Sequence, residues 1–256
     1  MTVATGTGAL AGTVGSLPAA RFAFSGRGDG NMSLVVGAPD AGARARLAGA
    51  LDTMARDLVC MQQVHGADVA VVGAAHRGRG AAAHAGALPA VDALVTFAPG
   101  VPLADMVADC VPLVLVDPAG AVAVAHAGRA GVVAGVVAAT VAAMAPRRSA
   151  DVQALIGPAI AGCCYEVEAE LAGAVAAAVP AARATTTWGT PSLDLPAAVA
   201  AQLRAAGVVD VRALGTCTRC DGTRWFSHRR APGEGRQAAA VVRRTPHGAA
   251  EPGTRT

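Results

Sequence analysis

Two apolar runs, residues 111–116 and 121–125, are separated only by Asp117-Pro118-Ala119-Gly120. Nothing else in the chain restricts its fold as strongly. Successive side chains of a strand point to opposite faces, so a run without polar residues offers no face to water. The connection has the chemistry of a turn, because Pro fixes φ and Gly permits a positive φ. The two runs therefore read as a β-hairpin buried on both faces.

Residues 21–25 alternate and read as a strand entering a Gly-rich turn. Residues 41–58 carry helical spacing through Leu47, Leu51, Met54 and Leu58 after the Pro39-Asp40 start signal. Short β-rich runs follow at 59–64, 69–72 and 91–97, the last two separated by a Gly/Ala/His loop. A helix is expected over 130–145 and a strand over 152–156. A further helix over 166–179 is stopped by Pro180, and another over 195–206 is opened by Asp194 as N-cap with Pro196 in its first turn. A last strand is expected over 238–242. Residues 1–18 and 245–256 read as flexible tails around one domain, residues 19–244. Strands and helices mix without strict βαβ alternation, which predicts a single α+β domain of mixed β-sheets covered by helices rather than a Rossmann-type sheet. No GxGxxG, P-loop or internal repeat occurs.

Composition excludes several classes. The chain is 53% hydrophobic and 15% charged, against roughly 25% charged in an ordinary domain. All 21 basic residues are Arg, an Arg/Ala/Gly/Val usage that reads as genome bias rather than function. The mean hydropathy of +0.44 invites a membrane reading. The best span, residues 130–146, is made of Ala, Gly and Val and falls short of the ~20 residues needed. It reads as a tightly packed internal helix. No signal-peptide pattern opens the chain, so a cytoplasmic protein is expected, a monomer or small homo-oligomer with no membrane partner. A net charge of +3 without a basic stripe, and 3% aromatics, disfavour nucleic-acid binding. The six cysteines then read as reduced thiols. Cys217-Thr-Arg-Cys220 has zinc-ligand spacing but no matching second pair or downstream His pair. Cys163 and Cys164 are adjacent, which disfavours a relaxed disulfide between them, and Cys60 reads as core.

Three segments place a reactive residue at the end of an apolar strand: Gln63-Val-His65-Gly66, Ala108-Asp109-Cys110 and Ala125-His126-Ala-Gly128. Such positions project groups from a rigid scaffold into a cleft. Spacing alone does not unite them. In order along the chain, however, QVHG, VDALVT, ADCVPLVLVDPAGAVAVAHAG, IGPAIAGCCYEV, LDLPAAVAAQL and the C-terminal Cys217-Thr through Trp-Phe-Ser227-His228-Arg-Arg230 to Arg236 resemble the YfiH-like, laccase-domain family. Its members are also called polyphenol oxidase-type proteins or purine nucleoside phosphorylases. The resemblance spans roughly residues 20–243 and implies a layered α/β sandwich, cysteine-hydrolase-like in arrangement.

By that resemblance His65, Cys110 and His126 form a metal site. One thiolate and two imidazoles are a borderline-soft set suited to zinc, with copper less favoured because multicopper oxidases use many more His than the six present. Three protein ligands leave a fourth position open, as catalytic sites do. Asp109 either orients an imidazole or serves as acid/base, or caps a loop. Arg27 matches the family's Phe-Thr-Thr-Arg arginine, and its fork of donors would suit phosphate or a ribose oxygen. The chain departs from the family's His-Ala-Gly-Trp-Arg-Gly with His126-Ala-Gly-Arg129-Ala130-Gly131, from its Ser-Leu-Asn with Ser33-Leu34-Val35, and from its Phe-Ser-Tyr-Arg-Arg with His228. The triad matches while the pocket wall differs.

The resemblance implies a zinc-dependent purine nucleoside phosphorylase acting on adenosine, inosine or S-methyl-5'-thioadenosine with phosphate, with adenosine deamination as an associated activity. Two alternatives stand beside it. One is a hydrolase editing peptidoglycan precursors at the same site, in one variant with Cys110 as nucleophile and His126 as base. The other is a non-enzymatic scaffold whose pocket has drifted.

Overall fold

The computed structural model describes residues 2–4, 12–17, 19–145 and 151–244. Its strands are β1 (Thr2–Ala4), β2 (Thr13–Leu17), β3 (Ala20–Phe24), β4 (Val69–Val72), β5 (Ala93–Thr96), β6 (Pro102–Val107), β7 (Val111–Val116), β8 (Val122–Ala127), β9 (Gln153–Ile156), β10 (Arg183–Thr185), β11 (Pro191–Leu193), β12 (Asp210–Ala213) and β13 (Gln237–Arg243). Its helices are α1 (Ala43–Ala50), α2 (Arg129–Ala134), α3 (Val136–Met144), α4 (Ala169–Ala178) and α5 (Leu195–Ala205).

The expected hairpin forms as β7 and β8, with Val111 opposite Ala127 and Val116 opposite Val122. It is the centre of a six-stranded mixed sheet ordered β12-β9-β7-β8-β5-β4, whose two edge strands run parallel to their neighbours. One face of the hairpin, through Val111, Leu113 and Leu115, packs with Val132, Val136, Val137 and Val141 of α2 and α3 and with Val199 and Leu203 of α5. The other face, through Val114, Val116, Val122 and Val124, meets Phe22, Phe24, Leu103 and Val241 of a second sheet. That sheet is five-stranded and antiparallel, ordered β1-β2-β3-β13-β6. Its outer face, through Ala23, Ala238 and Ala240, is covered by Leu47 of α1 with Met32, Leu51 and Cys60. Helices, sheet, sheet and helix thus stack as four layers. Both sheets are internal, which is why the hairpin runs are apolar on both faces.

Several boundaries differ from the sequence expectation. Residues 13–17, assigned to the N-terminal tail, form β2 with Thr13, Gly15 and Leu17 buried against β3. Residues 245–256 and most of 1–11 lie outside the described residues. Helix α1 ends at Ala50 because Asp52 takes φ 55, and residues 59–61 pair only through single bridges at Val59 and Met61. The expected helix over 130–145 is two helices, broken at Gly135, whose φ of 91 caps α2 in the left-handed region. Asp194 caps α5 as expected, accepting from the Ala197 N–H at 2.8 Å. Strands β6 and β12 had no counterpart in the sequence reading, since each carries charge within a short segment. No helix among the described residues is long and apolar enough to cross a membrane.

One polar side chain interrupts the interior of the second sheet. Asp105 of β6 is completely buried, and no well-formed hydrogen bond reaches either carboxyl oxygen among the described residues. Burial pushes its carboxyl from an ordinary 3.8 up to about 7; the opposing field of His126 is outweighed, with Cys110 and Asp92 adding to the rise. The fold therefore favours the protonated form. The penalty for ionising it is absent below about pH 4, grows to about pH 7 and is then constant, at most on the order of 4 kcal/mol. Asp105→Asn should gain stability over the wild type at pH 8 relative to pH 4.5. Urea unfolding of both metal-free proteins measures this, and an equal difference at the two pH values would show that Asp105 titrates normally.

Candidate metal centre

A single carboxylate organises two of the three segments, those of His65 and His126. Asp92, fully buried just before β5, accepts the consecutive backbone N–H groups of Val64, His65 and Gly66 at 3.2, 2.9 and 2.7 Å. This cradle holds His65 in the left-handed region, at φ 61. The same carboxylate accepts from His126 Nδ1 at 2.8 Å, and the His126 N–H donates to the Asp92 carbonyl at 2.8 Å. A proton on Nδ1 leaves Nε2 of His126 free as a ligand atom. Cys110 arrives from the tight β6–β7 turn, where Asp109 takes φ 85. Its Sγ lies 3.7 Å from His65 Nε2, and the two imidazoles stand edge to face at 4.6 Å. The ligand atoms of His65, Cys110 and His126 all fall within 4.8 Å of one another.

Gly128 makes this approach possible. A Cβ there would stand 2.6 Å from His65 Cδ2 and 3.2 Å from Cys110 Sγ. The glycine of the His-Ala-Gly stretch is therefore a requirement of the cluster and not merely of the turn.

The electrostatics suit a cation. Burial alone would raise the Cys110 thiol, but hydrogen bonds and charge from His126 and His65 outweigh it and bring it down to about 6. Burial likewise opposes charge on His126, yet Asp92 and the Cys110 thiolate raise it to about 10. The Asp92 carboxyl, despite its burial, is held low by His126 and the Gly66 and His65 N–H groups. The cluster thus favours a thiolate beside a held positive charge, which a metal ion replaces while releasing protons. The donor set, the spacing and the carboxylate behind His126 all fit a metal ion held by three protein ligands.

The triad lies where two clefts meet. The larger, of about 400 Å³, is lined by Ser33, Val35, Gln63, Met106 and Arg236. The smaller, of about 310 Å³, is lined by Arg129, Tyr165, Leu195 and Arg229. His65, Cys110 and His228 border both. Asp109 borders the smaller cleft, but its carboxylate accepts from the Thr218 hydroxyl at 2.6 Å and the Arg229 N–H at 2.7 Å, while its carbonyl accepts from Ile160. These are loop-bracing contacts, and none is with an imidazole. Arg27 is not among the residues lining either cleft. Its guanidinium makes a bidentate pair with Glu234 at 2.6 and 2.5 Å and stacks 4.6 Å over the Phe226 ring.

Sequence reading singled out the three ligands but not what holds them. Asp92 stood inside the quoted Val-Asp-Ala-Leu-Val-Thr block, and Asp105 was a lone charge in an apolar run; both signals were present without a partner to interpret them. Tyr165 and Arg229 reach the smaller cleft from distant loops, which spacing does not reveal.

Both the sequence and the fold have relatives among known proteins. Residues 31–244 match the family described as multi-copper polyphenol oxidoreductase laccase. A purine nucleoside phosphorylase of Streptomyces coelicolor is 48% identical over 72% of this chain and 74% of its own length. One from Mycobacterium tuberculosis is 43% identical over 77% of each chain. Among solved structures, YlmD from Geobacillus stearothermophilus superposes with a TM-score of 0.81 at 36% identity, covering 89% of this chain and 93% of that one. Bacillus licheniformis YfiH gives 0.77 at 30%, covering 87% and 92%. By sequence match, fold and metal-binding cluster together, the chain belongs to the multi-copper polyphenol oxidoreductase laccase family, the YfiH-like proteins.

Proposed function

We propose that the protein is a zinc-dependent purine nucleoside phosphorylase. The observation that carries this reading is the placement of one open His/Cys/His set where two clefts meet, the smaller lined by Arg129 and Arg229 and the larger by Val35 and Met106 together with Arg44 and Arg236. The names of its relatives supply the reaction class. Phosphorolysis breaks an N-glycosidic bond as a phosphate oxygen bonds to C1′ and the purine departs with a proton. Two neighbouring spaces, one to take a flat base and one to take an anion, are what that reaction needs.

His65, Cys110 and His126 would hold the zinc, which when bound would supply an electropositive centre able to polarise an oxygen of the reactants. The chain's own residues do the rest. Arg129 and Arg229 hold phosphate by charge-assisted hydrogen bonds in the smaller cleft. The purine lies against Met106 and Val35 in the larger one. His228, which borders both clefts, is placed to give the leaving base its proton. Asp109 acts as a positioning residue, fixing the Arg229 backbone and the Thr218 loop. Arg27, neutralised by Glu234, acts structurally.

A second reading rests on the lowered Cys110 thiol beside His126, which is also the arrangement of an activated nucleophile. It corresponds to a hydrolase of the precursor-editing kind. Metal dependence separates the two.

Metal content and release of free base from adenosine and inosine, with and without phosphate, provide the test. Phosphate-dependent release should disappear in Cys110→Ala and His126→Ala together with bound zinc. A metal-loaded wild type that releases no base from any nucleoside would sink the reading, and full activity of metal-free protein abolished by alkylating Cys110 would favour the nucleophile. Asp92→Asn, which keeps all three ligand residues but loosens what holds them, should weaken metal affinity or activity about 10- to 100-fold. Arg129→Ala should raise the phosphate KM about tenfold or more while leaving the nucleoside KM nearly unchanged. Equal changes in both would remove Arg129 from the anion site.

A further inference from the structure

Cys217-Thr-Arg-Cys220 lacks a second pair in sequence, and the fold supplies one. Cys163 and Cys164, in the loop after β9, meet it in the loop after β12. The four Sγ atoms lie within 4.8 Å of one another, with Cys164 to Cys220 at 3.3 Å, Cys163 to Cys164 at 3.6 Å and Cys163 to Cys220 at 3.7 Å. We propose that these four cysteines form a second metal centre, a closed tetrathiolate site that takes zinc and ties the two loops together behind the catalytic cleft.

Zn–S bonds of about 2.3 Å in a tetrahedron put the sulfurs about 3.8 Å apart, close to the spacing found. The sulfurs stand too close to surround a multi-iron cluster, and all four thiols are free. Cys217 also has the local geometry of a ligand in a CxxC turn. Its sulfur accepts backbone N–H groups from Arg219 and Cys220, two and three residues on, and from Ala161 at 3.5 Å. Such donors stabilise a thiolate before any metal arrives. The Arg219 guanidinium, bonded to the Cys164 carbonyl at 3.2 Å, brings positive charge to a centre that would carry a net negative one. Four protein ligands leave no open position, so the role is structural.

The location explains what such a clamp does. The loop carrying Cys163 and Cys164 donates Ile160 N–H to the Asp109 carbonyl at 2.9 Å, and the Cys217 loop donates the Thr218 hydroxyl to the Asp109 carboxylate at 2.6 Å. A parallel bridge between Ala159 and Cys217 joins them. Both loops therefore brace the residue that precedes Cys110. The site stands whatever reaction the cleft performs.

The test begins with zinc content of the purified full chain by mass spectrometry. Wild type should hold about two zinc ions, and Cys110→Ala/His126→Ala should keep about one. X-ray absorption at the zinc edge of that variant should show four sulfur ligands near 2.3 Å. Cys217→Ser/Cys220→Ser should lose one zinc and melt at a lower temperature. In case a variant fails to fold, wild type exchanged with ¹¹³Cd should give two resonances, one in the all-thiolate range. A zinc-free Cys110→Ala/His126→Ala protein whose remaining thiols all react freely, a nitrogen-containing shell in that variant, a disulfide in its place, or the absence of any cadmium resonance in the all-thiolate range would each overturn the proposal.

Discussion

The site depends on one buried carboxylate. Asp92 has no solvent to share its charge, so it must be satisfied by the protein, and four hydrogen bonds converge on it from two separate chain segments. The three backbone donors fix the Val64–Gly66 turn, and the fourth fixes the His126 ring. Removing a buried acceptor that satisfies so many donors leaves each of them desolvated, at roughly 1–3 kcal/mol apiece. The same interaction that builds the ligand geometry therefore holds β5, β8 and the His65 turn in register. Metal affinity and local stability share one residue.

The surrounding layers make that carboxylate effective. With helices outside each sheet, β7 and β8 have no wet face, and the cluster sits at the end of a dry slab. Charges there are screened little, so a thiolate, an imidazole and two carboxylates strongly perturb one another. The low charge content of the chain is the sequence counterpart of this architecture. Four layers bury the central strands of two sheets, and Ala and Val fill them.

How much of this was legible follows the same division. The β7–β8 hairpin could be read because nothing but a doubly buried strand pair satisfies two apolar runs joined by a Pro-Gly turn. The members of the triad could be read because they lie beside apolar runs and match a family pattern. The break at Gly135 was hidden because an Ala/Val helix and two shorter ones have nearly the same composition, and only a positive φ distinguishes them. Strand β2 was hidden because its Thr, Val, Gly and Ser gain their order from β3, not from themselves. Asp92, Asp105 and the pairing of the two cysteine pairs were hidden for a different reason. Each is defined by partners tens of residues away, and no local period carries that information.

The division also explains how this chain can keep its metal ligands while its pocket wall departs from the family pattern. His65 is held by a turn on the Asp92 carboxylate, Cys110 and His126 by the ends of β7 and β8, and all three meet over the absent side chain of Gly128. Arg129 and Ala130 sit at the start of α2 and line the smaller cleft without contributing to the Asp92 network, and His228 comes from a C-terminal loop. A change of Trp-Arg to Arg-Ala there changes the lining of the cleft and leaves the His65, Cys110 and His126 cluster undisturbed. Gly131, next in line, is not free in the same way. A Cβ at that position would stand 2.7 Å from the Gly66 carbonyl, so it would push against the turn that carries His65. The boundary between the part of the site that varies and the part that is held therefore runs between Ala130 and Gly131, where the chain passes from lining the cleft to packing beneath it.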